Sequence, residues 1–311
     1  MEYILLLVGF GILLYSGKYL VKGGVLLGNR FKISTLVIGV TVVSFGTSAP
    51  ELFVSLISAI KGYPEIAVGN VIGSNIANIA LVLAVTSIIF PIPVRKNSVK
   101  TDAPIMIAVS LLLYLFILNQ KLGIWEGFMF VVILITYIFF SVYFSKKNKD
   151  YDDTHPVMTH MHWGLMVLMI IGSAAGLALG SNLLVKNAEI IARNLGISDR
   201  VIAISLVALG TSLPELTTSA IAAFRKEMDI SIGNIIGSNI FNILGVLGIT
   251  SMVKPIPVDN YFIHVDIFWM LGISVLLFLF ILPFRGGKLT RIKGLILFMI
   301  YMVYIYLLFK K

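Results

Sequence analysis

Gly46-Thr47-Ser48-Ala49-Pro50-Glu51 stands inside an otherwise apolar stretch, and Gly210-Thr211-Ser212-Leu213-Pro214-Glu215 repeats it 164 residues later. Around this pair, residues 37–94 align with 201–258 at the same offset without a gap, and about half the positions are identical. The offset also holds upstream, where Val21-Lys22 matches Val185-Lys186 and Ile33-Ser34 matches Ile197-Ser198. The repeating unit therefore includes the first apolar stretch of each half.

The surroundings of the motif fix the class of protein. Hydrophobic residues make up 58% of the 311-residue chain and charged residues 13%, with a mean hydropathy of +0.99. A soluble domain of this size needs more charge to cover its surface. Apolar runs recur at the length, about 20 residues, that a helix needs to cross a bilayer. They are continuous rather than alternating, which indicates helices and not a barrel. The pattern predicts an all-α integral membrane protein with ten spans: 3–23, 35–60, 66–92, 103–119, 123–144, 163–184, 199–224, 230–253, 262–282 and 291–309. The chain divides into a first five-helix repeat (1–144), a connecting loop (145–162) and a second five-helix repeat (163–311). Five is odd, so the second unit enters the membrane inverted, the design of secondary transporters with paired sites near the midplane. The last two helices of the two units match only in hydropathy.

Charge sets the expected orientation. With both termini outside, the inner loops carry fourteen Lys and Arg and the outer loops eight. That bias puts the termini on the extracellular side and 145–162 in the cytoplasm. The net charge of +9 then reflects cytoplasmic loops, and no basic run with interleaved aromatics suggests nucleic acid. The apolar N-terminal stretch lacks a basic leader, with Glu2 in its place, and reads as a retained helix. The absence of cysteine excludes disulfides, thiolate metal sites and cysteine nucleophiles.

The motif carries the chemistry. Glu51 and Glu215 lie inside membrane helices, where an ionisable side chain is costly and normally faces the bundle interior for function. Pro50 and Pro214 interrupt their helices, freeing carbonyl acceptors near Gly46, Thr47, Gly210 and Thr211. Thr47, Ser48, Thr211 and Ser212 add hydroxyls. Such an oxygen-only set suits hard cations such as Na⁺ and Ca²⁺. A second motif follows in each half, Gly69-Asn70-Val71-Ile72-Gly73-Ser74-Asn75-Ile76-Ala77-Asn78 and Gly233-Asn234-Ile235-Ile236-Gly237-Ser238-Asn239-Ile240-Phe241-Asn242. Its glycines suit close helix packing. Ser74 with Asn78, and Ser238 with Asn242, each share a helix face, and these faces are expected to line the cation site. Two carboxylates give the site a charge that one Ca²⁺ neutralises or several Na⁺ compete for.

These doubled motifs resemble those of the cation/calcium exchanger superfamily, and most closely its prokaryotic sodium/calcium exchangers, over nearly the whole chain. The resemblance implies a calcium site from Glu51, Glu215 and the backbone oxygens of Thr47 and Thr211. It implies sodium sites around it drawing on Ser44, Ser48, Ser74, Asn78, Ala208, Ser212, Ser238 and Asn242. It also implies that the first and sixth helices slide across an eight-helix core to switch access. The expected activity is Na⁺/Ca²⁺ antiport by alternating access, with transported ions as the only ligands, no resident cofactor, and a functional monomer in the bilayer. Some members carry aspartate at the position of Asn242. Here Asn78 and Asn242 are both neutral, which argues against potassium dependence and for electrogenic exchange.

A proton/calcium exchanger of the same superfamily would share the glutamates. An intramembrane enzyme using them lacks a His-Glu-x-x-His helix or nucleophile arrangement. A channel fits an inverted repeat and broken helices less well. His155, His160 and His162 beside Asp150, Asp152 and Asp153 match no tight metal spacing and read as a solvated loop. Asp102, His264 and Asp266 are expected near headgroups or water, Glu65 and Asp229 at cavity mouths, and Trp125, Trp163 and Trp269 at the interfaces.

Overall fold

A computed structural model describes residues 1–94, 98–147, 161–196, 208–282 and 287–309. The apolar runs form α1 (Glu2–Phe31), α4 (Glu65–Ile89), α5 (Ser98–Ile117), α6 (Ile124–Lys147), α7 (Trp163–Asn194), α9 (Met228–Val253), α10 (Phe262–Ile281) and α11 (Arg291–Phe309). Between α1 and α4 the chain forms a bent pair, α2 (Thr35–Thr47) and α3 (Ala49–Ile60), which meet at 44°. The helix before α9, α8 (Ala208–Phe224), is described only from Ala208. The expected span 199–224 thus lies partly outside the described residues.

Short antiparallel strands indicate which helix ends share a face. Residues β1 (Ile92–Pro93) pair with β4 (Lys288–Leu289), and β2 (Lys121–Leu122) with β3 (Ile256–Pro257). Each pair must lie on one face of the bilayer. An even number of crossings separates the partners only if α8 is a crossing. One face, the terminal face, holds both chain ends, the α3–α4 turn, β2 and β3. The far face holds the α1–α2 turn, β1, β4 and the α8–α9 turn.

The centre of the bundle is α4 and α9. Their most apolar windows are 78% and 94% buried, against 17% for α6. A continuous core of Val68, Ile72, Ile76, Ile79, Ile232, Ile236, Ile243 and Leu247 runs between them. The outer helices turn aromatic and aliphatic side chains outward, as Phe139, Tyr143, Leu168 and Met299 do, which is the surface a lipid solvent favours. α1 and α7 are longer than expected. At 30 and 32 residues they are longer than the hydrocarbon core is thick. The expected ends at 23 and 184 followed the local hydropathy drop at lysine and glycine. The helices continue past it, and α1 stops where Lys32 takes a left-handed cap (φ 54°).

The two halves match beyond their sequence alignment. Turns with the wider π hydrogen-bond pattern occur at Asn78–Leu83 and Asn242–Leu247, and at Ser98–Asp102 and Phe262–Asp266. Asp102 accepts a hydrogen bond from the Tyr137 hydroxyl at 3.0 Å, and Asp266 is within 3.5 Å of the Tyr304 hydroxyl. The last two helices of each half are therefore related in chemistry as well as hydropathy. Both aspartates are buried, contrary to the expectation that they face headgroups or water. Each is held by a tyrosine from the following helix, which lets a carboxylate stay inside. His264, Trp125 and Trp163 are exposed, whereas Trp269 is half-buried against Tyr304. Glu65 is exposed at the terminal face, and Asp229 accepts from the Thr35 hydroxyl at 3.4 Å. The polar connection is shorter than expected, because α6 runs to Lys147, with Ser145 Oγ accepting from the Ser34 amide at 2.9 Å. His162 caps α7 through Nδ1. His155, His160, Asp150, Asp152 and Asp153 lie outside the described residues.

Candidate functional site

The site grows from the two Pro-Glu motifs. Ser48 sits between helices at φ −88°, ψ 4°, and Pro50 opens α3, where its missing N–H costs nothing. Glu51 follows in the first turn of α3, where the helix dipole favours a carboxylate. It is fully buried, and neither carboxylate oxygen has a hydrogen-bond partner. Glu215 is also fully buried. Its Oε1 accepts from the Ser48 hydroxyl at 3.0 Å, while Oε2 has no partner. The motifs of the two halves therefore meet, and their carboxylates interact electrostatically. The symmetric contact is not made, since Ser212 Oγ is buried without a partner.

Asparagines hold the flanking helices in register across the repeat. Asn78 Nδ2 donates to Asn239 Oδ1 at 3.2 Å, and Asn242 Nδ2 donates to Asn75 Oδ1 at 3.1 Å. Asn75 Nδ2 also reaches the Asn239 carbonyl at 3.2 Å. With both amide nitrogens committed, the Oδ1 atoms of Asn78 and Asn242 remain buried without donors. Within each half, Asn70 Nδ2 donates to Ser55 Oγ and Asn234 Nδ2 to Ser219 Oγ, both at 3.0 Å. Asn239→Ala removes the acceptor for Asn78 Nδ2, leaving it unpaired, and the contact of Asn239 Nδ2 with Met106 Sδ at 3.5 Å, while the backbone carbonyl that Asn75 reaches is kept. An unfolding free energy lower by about 2–3 kcal/mol is expected, read by thermal or chemical unfolding in detergent micelles. Stability equal to wild type would contradict the clamp.

The donor-free atoms define what fits. Both oxygens of Glu51, Oε2 of Glu215, and Oδ1 of Asn78 and Asn242 are buried acceptors with no partner at hydrogen-bond geometry, although backbone amides at both glutamates and the Thr47 and Ser238 hydroxyls beside Glu215 interact with the carboxylates. Buried acceptors are almost always satisfied, and a buried carboxyl group either takes up a proton or is held beside a counter-charge. No lysine or arginine is among the buried residues described, and no group of three His, Cys, Asp or Glu is found among them. Carboxylate, amide and hydroxyl oxygens without imidazole or thiolate are ligands for hard cations.

The expected residues largely converge here. Thr47, Ser48, Glu51, Ser212, Glu215, Ser238, Asn78, Asn242, Ser44 and Ser74 are all buried. The Thr47 hydroxyl is within 3.1 Å of Asn234 Oδ1 and 3.3 Å of Ser238 Oγ. Ser74 Oγ is 3.5 Å from Thr211 Oγ1. Ser44 spends its hydroxyl proton on its own helix, donating to the Val40 carbonyl at 2.6 Å. Ala208 begins α8; its side chain lies outside the described residues. The expectation that both prolines interrupt their helices is corrected. Pro50 does, but Pro214 sits inside a continuous α8. Asn75, Asn239, Ser55 and Ser219 were not singled out from sequence. Their signal was identity in both halves.

The halves differ in openness. A cavity of about 550 Å³ at the terminal face is lined by Glu65, Asn70, Ser74, Thr211, Asp266 and Tyr304, among others. Gly69, Asn70 and Gly73 are half-buried beside it, whereas their counterparts Gly233, Asn234 and Gly237 are buried. At the far face α2 closes on α9 backbone to backbone. A Cβ at Gly39 would lie 2.9 Å from the Ile230 carbonyl oxygen, and one at Gly233 2.7 Å from that of Leu36. The cavity on the terminal side reaches Ser74 and Thr211 and stops short of the buried carboxylates, whereas on the far side α2 and α9 are in backbone contact.

Residues 1–143 and 165–310 match the model of the sodium/calcium exchanger protein family. The chain is 39% identical to the putative antiporter CaxA of Alkalimonas amylolytica, over 98% of each. It is 31% identical to the sodium/calcium exchanger MaX1 of Methanosarcina acetivorans, over 99% of this chain and 98% of that one. A solved structure of the sodium-calcium exchanger NCX_Mj superposes with a TM-score of 0.83 at 32% identity, covering 99% of this chain and 98% of that one. The fold, the doubled motif and the relatives agree, and the chain is a member of the sodium/calcium exchanger family, a multi-pass membrane transporter rather than an enzyme.

Proposed function

We propose that this chain exchanges Na⁺ for Ca²⁺ across the cytoplasmic membrane by alternating access, with the ions as its only ligands. The observation that carries this reading is the set of buried, donor-free oxygens on Glu51, Glu215, Asn78 and Asn242. In this reading Glu51, Glu215 and the backbone oxygens of Thr47 and Thr211 hold Ca²⁺. Ser44, Ser48, Ser74, Asn78, Ala208, Ser212, Ser238 and Asn242 serve the competing Na⁺. Both half-sites belong to one chain, 1–144 supplying one and 163–311 the other, which supports a functional monomer. The terminal face is extracellular, by the Lys and Arg bias, and residues 145–162 are cytoplasmic.

The inequality of the halves supports alternation. The first motif is bent and its helix packs backbone to backbone on α9, while the second is continuous and borders the terminal-face cavity at Thr211. Exchanging these shapes between the halves would close the extracellular face and open the cytoplasmic one.

Neutral Asn78 and Asn242 leave two acids in the site, so K⁺ is not required and more than two Na⁺ per Ca²⁺ carry net positive charge in the sodium direction. Calcium uptake against sodium efflux is then favoured by an inside-positive potential. In proteoliposomes clamped with a potassium ionophore, one net charge per cycle shifts the calcium accumulation ratio about tenfold for each ~60 mV. Accumulation that ignores the potential would refute electrogenic exchange.

A further inference from the structure

Pro214 has no N–H to give to the carbonyl four residues back, that of Gly210. In this structure the carbonyl is not left bare. The hydroxyl of Ser181, a buried residue of α7, donates to it at 2.5 Å. The two helices touch at this level, since a Cβ on Gly210 would lie 2.7 Å from Val185 Cγ2. α8 runs through Pro214 without a break.

The first half has the same proline and lacks the hydroxyl. Pro50 leaves the Gly46 carbonyl in the same position, and the residue aligned with Ser181 at the repeat offset is Gly17. Among the described residues no side chain donates to Gly46. Its neighbours are apolar and looser, Leu20 at 3.4 Å and Ala174 at 3.5 Å from a Cβ built there. There the chain breaks at Ser48 and turns by 44°. Two nearly identical motifs thus take two shapes. The one with a donor for the orphaned carbonyl is continuous, and the one without it is bent.

We propose that Ser181 is a positioning residue, a latch from α7 that holds α8 continuous and so keeps the terminal-face cavity open. The inference rests on the alternating-access reading. Closing that face gives residues 210–212 the bend that 46–48 already have, and the Ser181 hydrogen bond is released as they bend. The latch therefore favours the open, ion-free shape and opposes ion-driven closure. Because the first half has glycine at this position, the far face carries no such bias, and the two orientations of the carrier differ in energy.

The chain has no cysteine, so Ile305→Cys, which lines the cavity, gives a single reporter for a membrane-impermeant maleimide. In this background, sodium or calcium ions are expected to slow labelling as the face closes. Ser181→Ala is expected to shift the open–closed equilibrium about fivefold toward closed, the effect of one net hydrogen bond, and so to lower the half-saturating sodium concentration about 1.7-fold when three ions drive closure. Ion-free labelling slows in the same variant. Ser181→Thr, which keeps the hydroxyl, is expected to restore wild-type values, a rescue that general packing damage would not show. If Ser181→Ala does not yield folded protein, Ser181→Gly reproduces the residue of the first half and carries the same expectation. Unchanged sodium dependence and ion-free labelling in these variants, with wild type still responding to ions, would overturn the latch alone. Labelling that ignores ions in wild type as well would overturn alternating access and the latch with it.

Discussion

Glu51→Gln and Glu215→Gln each reduce ⁴⁵Ca²⁺ flux in proteoliposomes by at least about a hundredfold. The expectation follows from charge and burial. At a calcium–oxygen distance of about 2.4 Å and an effective dielectric constant near 20, one carboxylate attracts a divalent ion by on the order of 10 kcal/mol before desolvation. Losing a small part of that, about 2.8 kcal/mol, is already a hundredfold. Glutamine keeps the shape and supplies one neutral acceptor, so the loss reports the charge. Folding moves the other way. Each glutamate is buried without a full set of partners, so removing its charge is expected to leave the ion-free protein as stable as wild type or more so. A variant inactive because it is unfolded would contradict the assignment, as would one that keeps wild-type flux.

Gly237→Ala is the second large effect, and its comparison with Gly73→Ala tests the difference between the faces. A Cβ at Gly237 meets only backbone, the Cα of Val40 at 2.6 Å and its carbonyl carbon at 2.7 Å. No flexible side chain can swing aside, so α2 must move off α9. Overpacking of this kind costs about 1–3 kcal/mol. At the equivalent Gly73, among the described residues, no atom lies within 4 Å of an added Cβ, and the glycine lines the open cavity. Gly73→Ala is expected to unfold within about 0.5 kcal/mol of wild type. It still slows flux, because the second half must close on Gly73 when the terminal face seals. Tryptophan fluorescence during thermal unfolding, paired with flux, separates the two. Equal destabilisation at both glycines would contradict the one-sided seal.

The sequence showed most of this site because the duplication is gapless. A constant offset aligns Glu51 with Glu215 and Asn78 with Asn242, and burial in the membrane leaves few roles for such residues. The Asp102–Tyr137 and Asp266–Tyr304 pairs escaped the same search because their separations differ. Each tyrosine follows its aspartate by 35 residues in one half and 38 in the other, so no single offset aligns all four. The behaviour of Pro214 was equally out of reach. Proline predicts a broken helix from local geometry. Its orphaned carbonyl is satisfied here by Ser181 from another helix, a tertiary contact that helix propensity does not encode. Asn75 and Asn239 stood in the motif with the same identity as Asn78 and Asn242. Only their hydrogen bonds separate the residues that clamp α4 to α9 from those that turn an oxygen to the ion.

The central claim is that the buried oxygens of the two halves take Na⁺ and Ca²⁺ in turn, so that one gradient drives the other ion. The most direct measurement is ⁴⁵Ca²⁺ uptake into proteoliposomes loaded with sodium, at fixed pH and clamped membrane potential, beside an arm with an imposed proton gradient and no sodium. The account predicts concentrative uptake that follows the sodium gradient, needs no potassium and vanishes when sodium is equal on both sides. Uptake driven by the proton gradient and indifferent to sodium would contradict it.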